Sequence, residues 1–331
     1  MNDQLKPNKP PLIWVLLDDR AGNRSQCLGV ADILGLPFET HNIVYTPLSA
    51  LPNMIKGASF IGITQESRKS LVSPWPDLVI TAGRRTASVA RAIKQKSFGK
   101  TRLVQIMYPG DSGLSEFDLV AVPGHDKTRT ESSNILSITG APHGVTAEKL
   151  SESSEKWRDK FQDLPSPKIA LFVGGTTRRR EFSVDMGKEL GKRVNKMALD
   201  CGGSLLITTS RRSGAAGQSL ITEITAPNFT YQWGDEGDNP YFGYLAMADA
   251  IVVSGDSVSM CSEACATKAP VYIYAPEGFV TDKHARLHQQ LYDAGFARPL
   301  EETVESWSHP SLNAATEIVQ AIRERFGSMY T

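Results

Sequence analysis

Short β-branched runs recur along this chain, and most lead through a tight turn into a helical pattern. "PLIWVLLDD" passes through "RAGNRSQ" into "CLGVADILG", and "PDLVITAGRR" passes into "TASVARAIKQK". "FETHNIVY", "TRLVQIMYP", "FDLVAVP" and "NILSITGAP" are further strand candidates. Apolar runs of this kind fit strands covered on both faces, and their alternation with helices predicts parallel sheets. After residue 143 the character changes. "HGVTAEKLSESSEKWRDKFQDLPSPK" is polar and helical and closes on Pro-Ser-Pro, which reads as a linker helix and a hinge. A second alternation then begins, through "KIALFVGGTTRRR", "SLLITTSRR", "FTYQW", "ADAIVVSGDS" and "PVYIYAPEG", and two helices end the chain. The expected fold is α/β: two Rossmann-like doubly wound domains facing a central cleft, residues 1–160 and residues 161–331. The last helix is expected to cross back to the first domain.

Charge narrows the function classes. Lys and Arg total 36 and Asp and Glu total 36, so there is no net basic character of the kind a nucleic-acid partner needs. No apolar stretch approaches the roughly 20 residues of a membrane-spanning helix, and the first residues lack the form of a signal peptide. The expected location is cytoplasmic, and the inner face of a membrane is compatible with it through peripheral association. Cys27, Cys201, Cys261 and Cys265 show no CxxC pairing, so a zinc site is not expected, nor any other metal or cofactor.

The strand ends of the second half carry groups suited to an anion. In "IVVSGDSVSMCSEACATKAPVYIY" a strand ends at Ser254 and a helix begins after the Gly-Asp-Ser turn. Backbone N–H groups at such a helix start attract phosphate, and Ser257 and Ser259 would add hydroxyl donors; Asp256 or Ser257 acting only as a cap is the plainer alternative. Glu263, among small residues one to two turns on, can accept both hydroxyls of a ribose, or can be a solvated helix glutamate. Gly174 and Gly175 permit close backbone approach, Thr176 can donate, and Arg178 can reach an anion. No Walker pattern is present. Ser210 and Arg211 end the next strand, so two arginine-bearing strand ends suggest a doubly charged anion such as a pyrophosphate. Lys283 follows a later strand in the same half.

The first half offers acceptor-side and catalytic candidates. Arg20, Gly22, Asn23 and Gln26 crowd the loop after the first strand, and Arg84 follows "TAG". Asp19 in that loop is the expected general base, with a turn role as its alternative. His125 and Asp126 after "VAVPG" are a second acid/base pair. The absence of G-x-G-x-x-G leaves an NAD site unsupported.

Several of these stretches together resemble one family. "LDDRAGNRSQCLGVADILG", "PDLVITAGRRTASVARAIK", "FDLVAVPGHD", "DNPYFGYLAMADAIVVSGDSVSMCSEACATKAPVYIY" and "KHARLHQQLYDAGFARP" resemble the ELM1 family, named for a plant mitochondrial fission factor and with many bacterial members. That family is similar to GT-B glycosyltransferases. "GDSVSMCSEACATKAPVYI" looks like the donor-nucleotide motif of MurG-type enzymes, although the glycine of that motif's G-x-P is replaced here, where the sequence reads Thr267-Lys268-Ala269-Pro270. The resemblance implies a GT-B fold, a nucleotide-sugar donor in the second domain, and a sugar or lipid-linked acceptor. It implies Glu263 on the ribose and Ser257 and Ser259 on the phosphates. The plant role implies recruitment of a dynamin-like partner. The leading expectation is a metal-independent glycosyltransferase; a nucleotide-sugar 2-epimerase and a non-catalytic scaffold are the rivals.

Overall fold

A computed structural model describes residues 10–327 apart from Lys127, Arg129 and Glu302. The chain forms two compact units. The first runs to Gly144 and takes in the segment from Asn313 onward, and the second is Val145–Leu312.

In the first unit, β1 (Ile13–Leu17) leads through α1 (Ala21–Leu34) to β2 (Glu39–Asn42). Short helices α2 (Asn53–Lys56) and α3 (Gln65–Ser70) precede β3 (Leu78–Ala82) and α4 (Arg84–Lys96). β4 (Arg102–Ile106), β5 (Leu119–Pro123) and β6 (Ile135–Ile138) complete a parallel sheet of order β2-β1-β3-β4-β5-β6. Successive side chains of β1 take opposite faces, as the pleat requires. Val15 and Leu17 join the core under α1, whereas Trp14 and Leu16 join the one under α4. Both faces are covered, so the strands read as unbroken apolar runs.

The second unit opens with α5 (Ala147–Phe161) and continues through β7 (Lys168–Val173), α6 (Val184–Asp200), β8 (Ser204–Thr209), α7 (Gly214–Thr222) and β9 (Asn228–Tyr231). Its later part is α8 (Tyr241–Met247), β10 (Ala250–Ser254), α9 (Val258–Ala264), β11 (Val271–Tyr274), α10 (Asp282–Asp293) and β12 (Arg298–Pro299). The parallel strands run β12-β11-β10-β7-β8-β9, the order of dinucleotide-binding folds. The last helix, α11 (Ala314–Phe326), packs on α1 through Ala314, Ala315, Ile318 and Ile322, in the core of the first unit.

One expectation is corrected here. The segment 147–161 is no linker, because its polar surface carries two aromatic anchors at i, i+4. Trp157 and Phe161 are buried and stacked, with centroids 5.6 Å apart. Phe161 packs against Tyr244 of α8, and Gly243 lies so near Trp157 that a Cβ there would meet the ring at 2.5 Å. The units divide after Gly144, ahead of the expected boundary at residue 160. The Pro-Ser-Pro is likewise pinned inside the second unit, where Pro165 accepts from Ser204 Oγ at 2.7 Å and Pro167 from Ser204 N–H at 3.0 Å.

Candidate functional site

Each sheet has one point where the chain reverses its direction of winding: between β1 and β3, and between β7 and β10. Ligands of such sheets bind at the C-terminal strand ends beside that point. In both units this place holds an aspartate paired with an arginine.

In the second unit the aspartate is Asp256, two residues past β10. Its side chain is fully buried and lies 2.6 Å from Arg212, which follows β8. Asp256 also accepts from Gly175 N–H at 2.9 Å and from Ser254 Oγ at 2.7 Å, and Ser254 in turn accepts from Gly174 N–H. A buried carboxylate is tolerated only when its lone pairs are used in this way. The network leaves no room at the glycines: a Cβ on Gly174 would sit 2.4 Å from the Asp256 carboxylate, and one on Gly175 would sit 2.2 Å from the Arg212 carbonyl. On the far side of the turn, His288 of α10 donates from Nε2 to the Gly255 carbonyl at 2.9 Å. Burial lowers His288 to about 4, so it is neutral at physiological pH.

Glu263 is the sixth of the seven residues of α9. It is half-buried, and Tyr241, the first residue of α8, donates its hydroxyl to Oε2 at 2.5 Å. The Tyr241 ring is fixed by Phe172 of β7, with centroids 4.7 Å apart. Burial raises the Glu263 carboxyl to about 7, and the bond from Tyr241 pulls the other way. In its ionised form this carboxyl is acceptor-only and can take ligand hydroxyls, and in its protonated form it can also donate. Beside β8, a hollow of about 130 Å³ is lined by Ser210, Arg211, Gln218 and the exposed Trp233.

In the first unit, Asp18 and Asp19 follow β1 and Arg85 is the second residue of α4. Arg85 bonds both carboxylates and lies over the Tyr45 ring, 4.1 Å from its centroid. Asp18 is buried and also accepts from Asn23 Nδ2 at 3.0 Å. The guanidinium of Arg85 holds Asp19 below the ordinary carboxylate range.

These positions correct several expectations. Asp19 is a weakened base, because its charge is already matched by Arg85. His125 is buried, and its strand β5 lies three strands from β1, roughly 14 Å away, so neither it nor Asp126 joins the Asp19 cluster. Gly174 and Gly175 are buried against Asp256 and Arg212, where no ligand can approach them. Thr176 closes its own loop by accepting from Phe182 N–H, and Arg178 is exposed. Ser210 Oγ is taken by the Gly174 carbonyl, and its neighbour Arg212, with the exposed Arg211 left outside, reaches the strand-end aspartate. Ser257 caps α9 by accepting from Met260 N–H, the plainer of its two readings. Gly22, Asn23 and Gln26 lie in the first turns of α1, where a loop was expected; Asn23 and Gln26 are buried, whereas Arg20 and Arg84 are exposed. Ser259 and Lys283 are half-buried and sit at the starts of α9 and α10. Among the described residues no cluster of three metal-ligating side chains occurs.

The sequence profile of the mitochondrial fission ELM1 family matches residues 21–326. The chain belongs to that family. Among its relatives, the protein RP120 of Rickettsia prowazekii is 31% identical over 94% of this chain and 97% of its own length. The mitochondrial fission protein ELM1 of Arabidopsis thaliana is 30% identical over 81% of this chain and 68% of its own. The fold is GT-B-like. A Methanocaldococcus jannaschii UDP-GlcNAc 2-epimerase aligns at a TM-score of 0.51, with 12% identity, over 95% of this chain and 99% of that one. A Listeria monocytogenes structure assigned to the same activity aligns at 0.57, with 12% identity, over 96% and 97%. At that identity the likeness concerns fold alone.

Asp18, Arg85, Arg212, Asp256, Tyr241 and His288 of this ELM1-family site are visible in the sequence as members of their stretches, but the roles are expected of their neighbours, and Ser254 reads only as a strand end. Asp256 carried a usable signal, since it stands in the turn after a buried strand. Arg212 and Arg85 could not be told from Arg211 and Arg84, because only the direction of each loop decides which neighbour turns inward.

Proposed function

We propose that this ELM1-family protein is a glycosyltransferase of GT-B type that takes a nucleotide diphospho-sugar donor on its second unit. The observation that carries this reading is the Glu263–Tyr241 pair beside the β10 strand end, in a unit whose strand order is that of nucleotide-binding folds. Glu263 would accept the ribose hydroxyls. Arg211 and Lys283 would supply positive charge to the leaving diphosphate. The acceptor, a sugar or lipid-linked sugar of envelope glycan synthesis, would be taken by the first unit, with Arg20 and Arg84 as its exposed cations.

A second reading, a nucleotide-binding adaptor without turnover, is favoured by one observation. Asp19 is neutralised by Arg85, and His125 is buried, so the expected proton acceptors are occupied or covered. Thermal shift with UDP, GDP, CDP and CMP separates both from a wrong site: at least one nucleotide at millimolar concentration should raise Tm, and Glu263→Ala should abolish the rise. If none does, both readings fail. Binding without sugar release or transfer, followed by NMR, selects the adaptor.

A further inference from the structure

A second cavity, of about 850 Å³, opens at the opposite end of the first sheet. Its walls come from the starts of β1 and β2 and from the segment leading into β3, including Ile13, Glu39 and Asp77. The Asp18–Arg85 cluster lies at the other end of these strands, roughly 15 Å away for a five-residue strand. Nothing in the proposed function uses this cavity, and its volume is that of a small-molecule site.

Its lining is aromatic and acidic. Trp14, Trp75, Phe38 and His41 face it, and Trp14 packs on His41 and Trp75 with centroids 4.3 and 6.0 Å apart. Among the described residues lining it, the carboxylates Glu39 and Asp77 occur with no lysine or arginine. His41 is held neutral, because burial lowers its pKa. One oxygen of Asp77 accepts from Leu12 N–H at 2.8 Å, and Glu39 remains largely exposed. The rings attract positive charge: Lys96 already places its ammonium 5.9 Å from the Trp75 centroid.

We propose that this cavity binds a small organic cation of the alkylated-ammonium class. The ammonium would sit against Trp75 and the carboxylates of Glu39 and Asp77. An anion is disfavoured by the two carboxylates.

The test is titration of nitrogen-labelled protein with choline, following the Trp14 indole N–H resonance, beside choline's uncharged isostere in which carbon replaces nitrogen. Choline should shift that resonance saturably in the millimolar range or below, and the isostere should bind about tenfold more weakly or worse. Glu39→Gln, a surface change that spares the fold, should weaken choline roughly threefold or more. Trp75→Leu should abolish binding while Tm and nucleotide response persist. No shift with choline, equal binding of the isostere, or an unchanged affinity in Glu39→Gln would each overturn the proposal.

Discussion

Tyr241 donates its hydroxyl to Oε2 of Glu263 at 2.5 Å, and this bond joins the first residue of α8 to the sixth of α9. The carboxyl it reaches is raised to about 7 by burial. Burial therefore favours the protonated form, and the folded state binds a proton that the unfolded chain releases at its ordinary value, near 4.3 in model peptides. The resulting stability is fully present below that value and is lost as pH rises to about 7, with an expected size on the order of 2–3 kcal/mol. Urea unfolding at pH 5 and pH 8 should show this fall in the native protein. Glu263→Gln, which cannot ionise, should flatten it, and an unchanged pH slope would mean that the carboxyl is not perturbed.

Asp256 gathers bonds from Gly175, Ser254 and Arg212. Asp256→Ala should cost about 2–4 kcal/mol, because a buried N–H and a buried hydroxyl lose their acceptor. Arg212 would lose less, since its side chain is one-third exposed. Asp256→Asn keeps one acceptor oxygen and should fall between the two. Chemical denaturation ranks the three proteins.

Arg85 sets the charge state of Asp19. Replacing it by Met should raise the Asp19 pKa toward about 3.9, the ordinary value. In the native protein the Asp19 contribution is present above that value and is lost as pH falls through the lowered one, so the change belongs to strongly acidic solution. Carboxyl NMR titration of the two proteins measures the shift. The same replacement leaves Asp18 buried without its guanidinium and should lower Tm.

The contact between Gly243 and Trp157 should couple the two positions. Trp157→Ala alone should cost about 3–5 kcal/mol, and Gly243→Ala alone about 1–3 kcal/mol through crowding against the indole. In the double variant the added methyl enters space the indole vacated, so the combined loss should be smaller than the sum. Strict additivity would show that α5 and α8 do not meet as described.

The fold was legible because strands buried on both faces announce themselves as apolar runs, as "IWVLL" and "AIVVS" do, and because Gly and Pro mark the turns between them. Helix α5 was misread for the opposite reason. Its exposed face is long and charged, and the two aromatics that attach it, Trp157 and Phe161, are a thin signal against that surface. At the site, residue types were informative and orientations were not. Gly174, Gly175 and Ser210 stand where a ligand-binding loop would stand, yet the structure spends them on holding Asp256 and Arg212. Glu263 was visible as a carboxylate among small residues, but its partner Tyr241 is 22 positions away and no local pattern links them.

Helix α11 gives the chain an assembly order. The apolar face of α1 that packs around Val30 is completed by Ile318 and Ile322, which a ribosome reaches only after the whole of the second unit has been translated. Until then the nascent first unit has an open seam, whereas the second unit is one continuous stretch and can close independently. Cutting the gene after Gly144 would therefore yield an incomplete half, and a peptide spanning residues 313–327, added separately, should restore it.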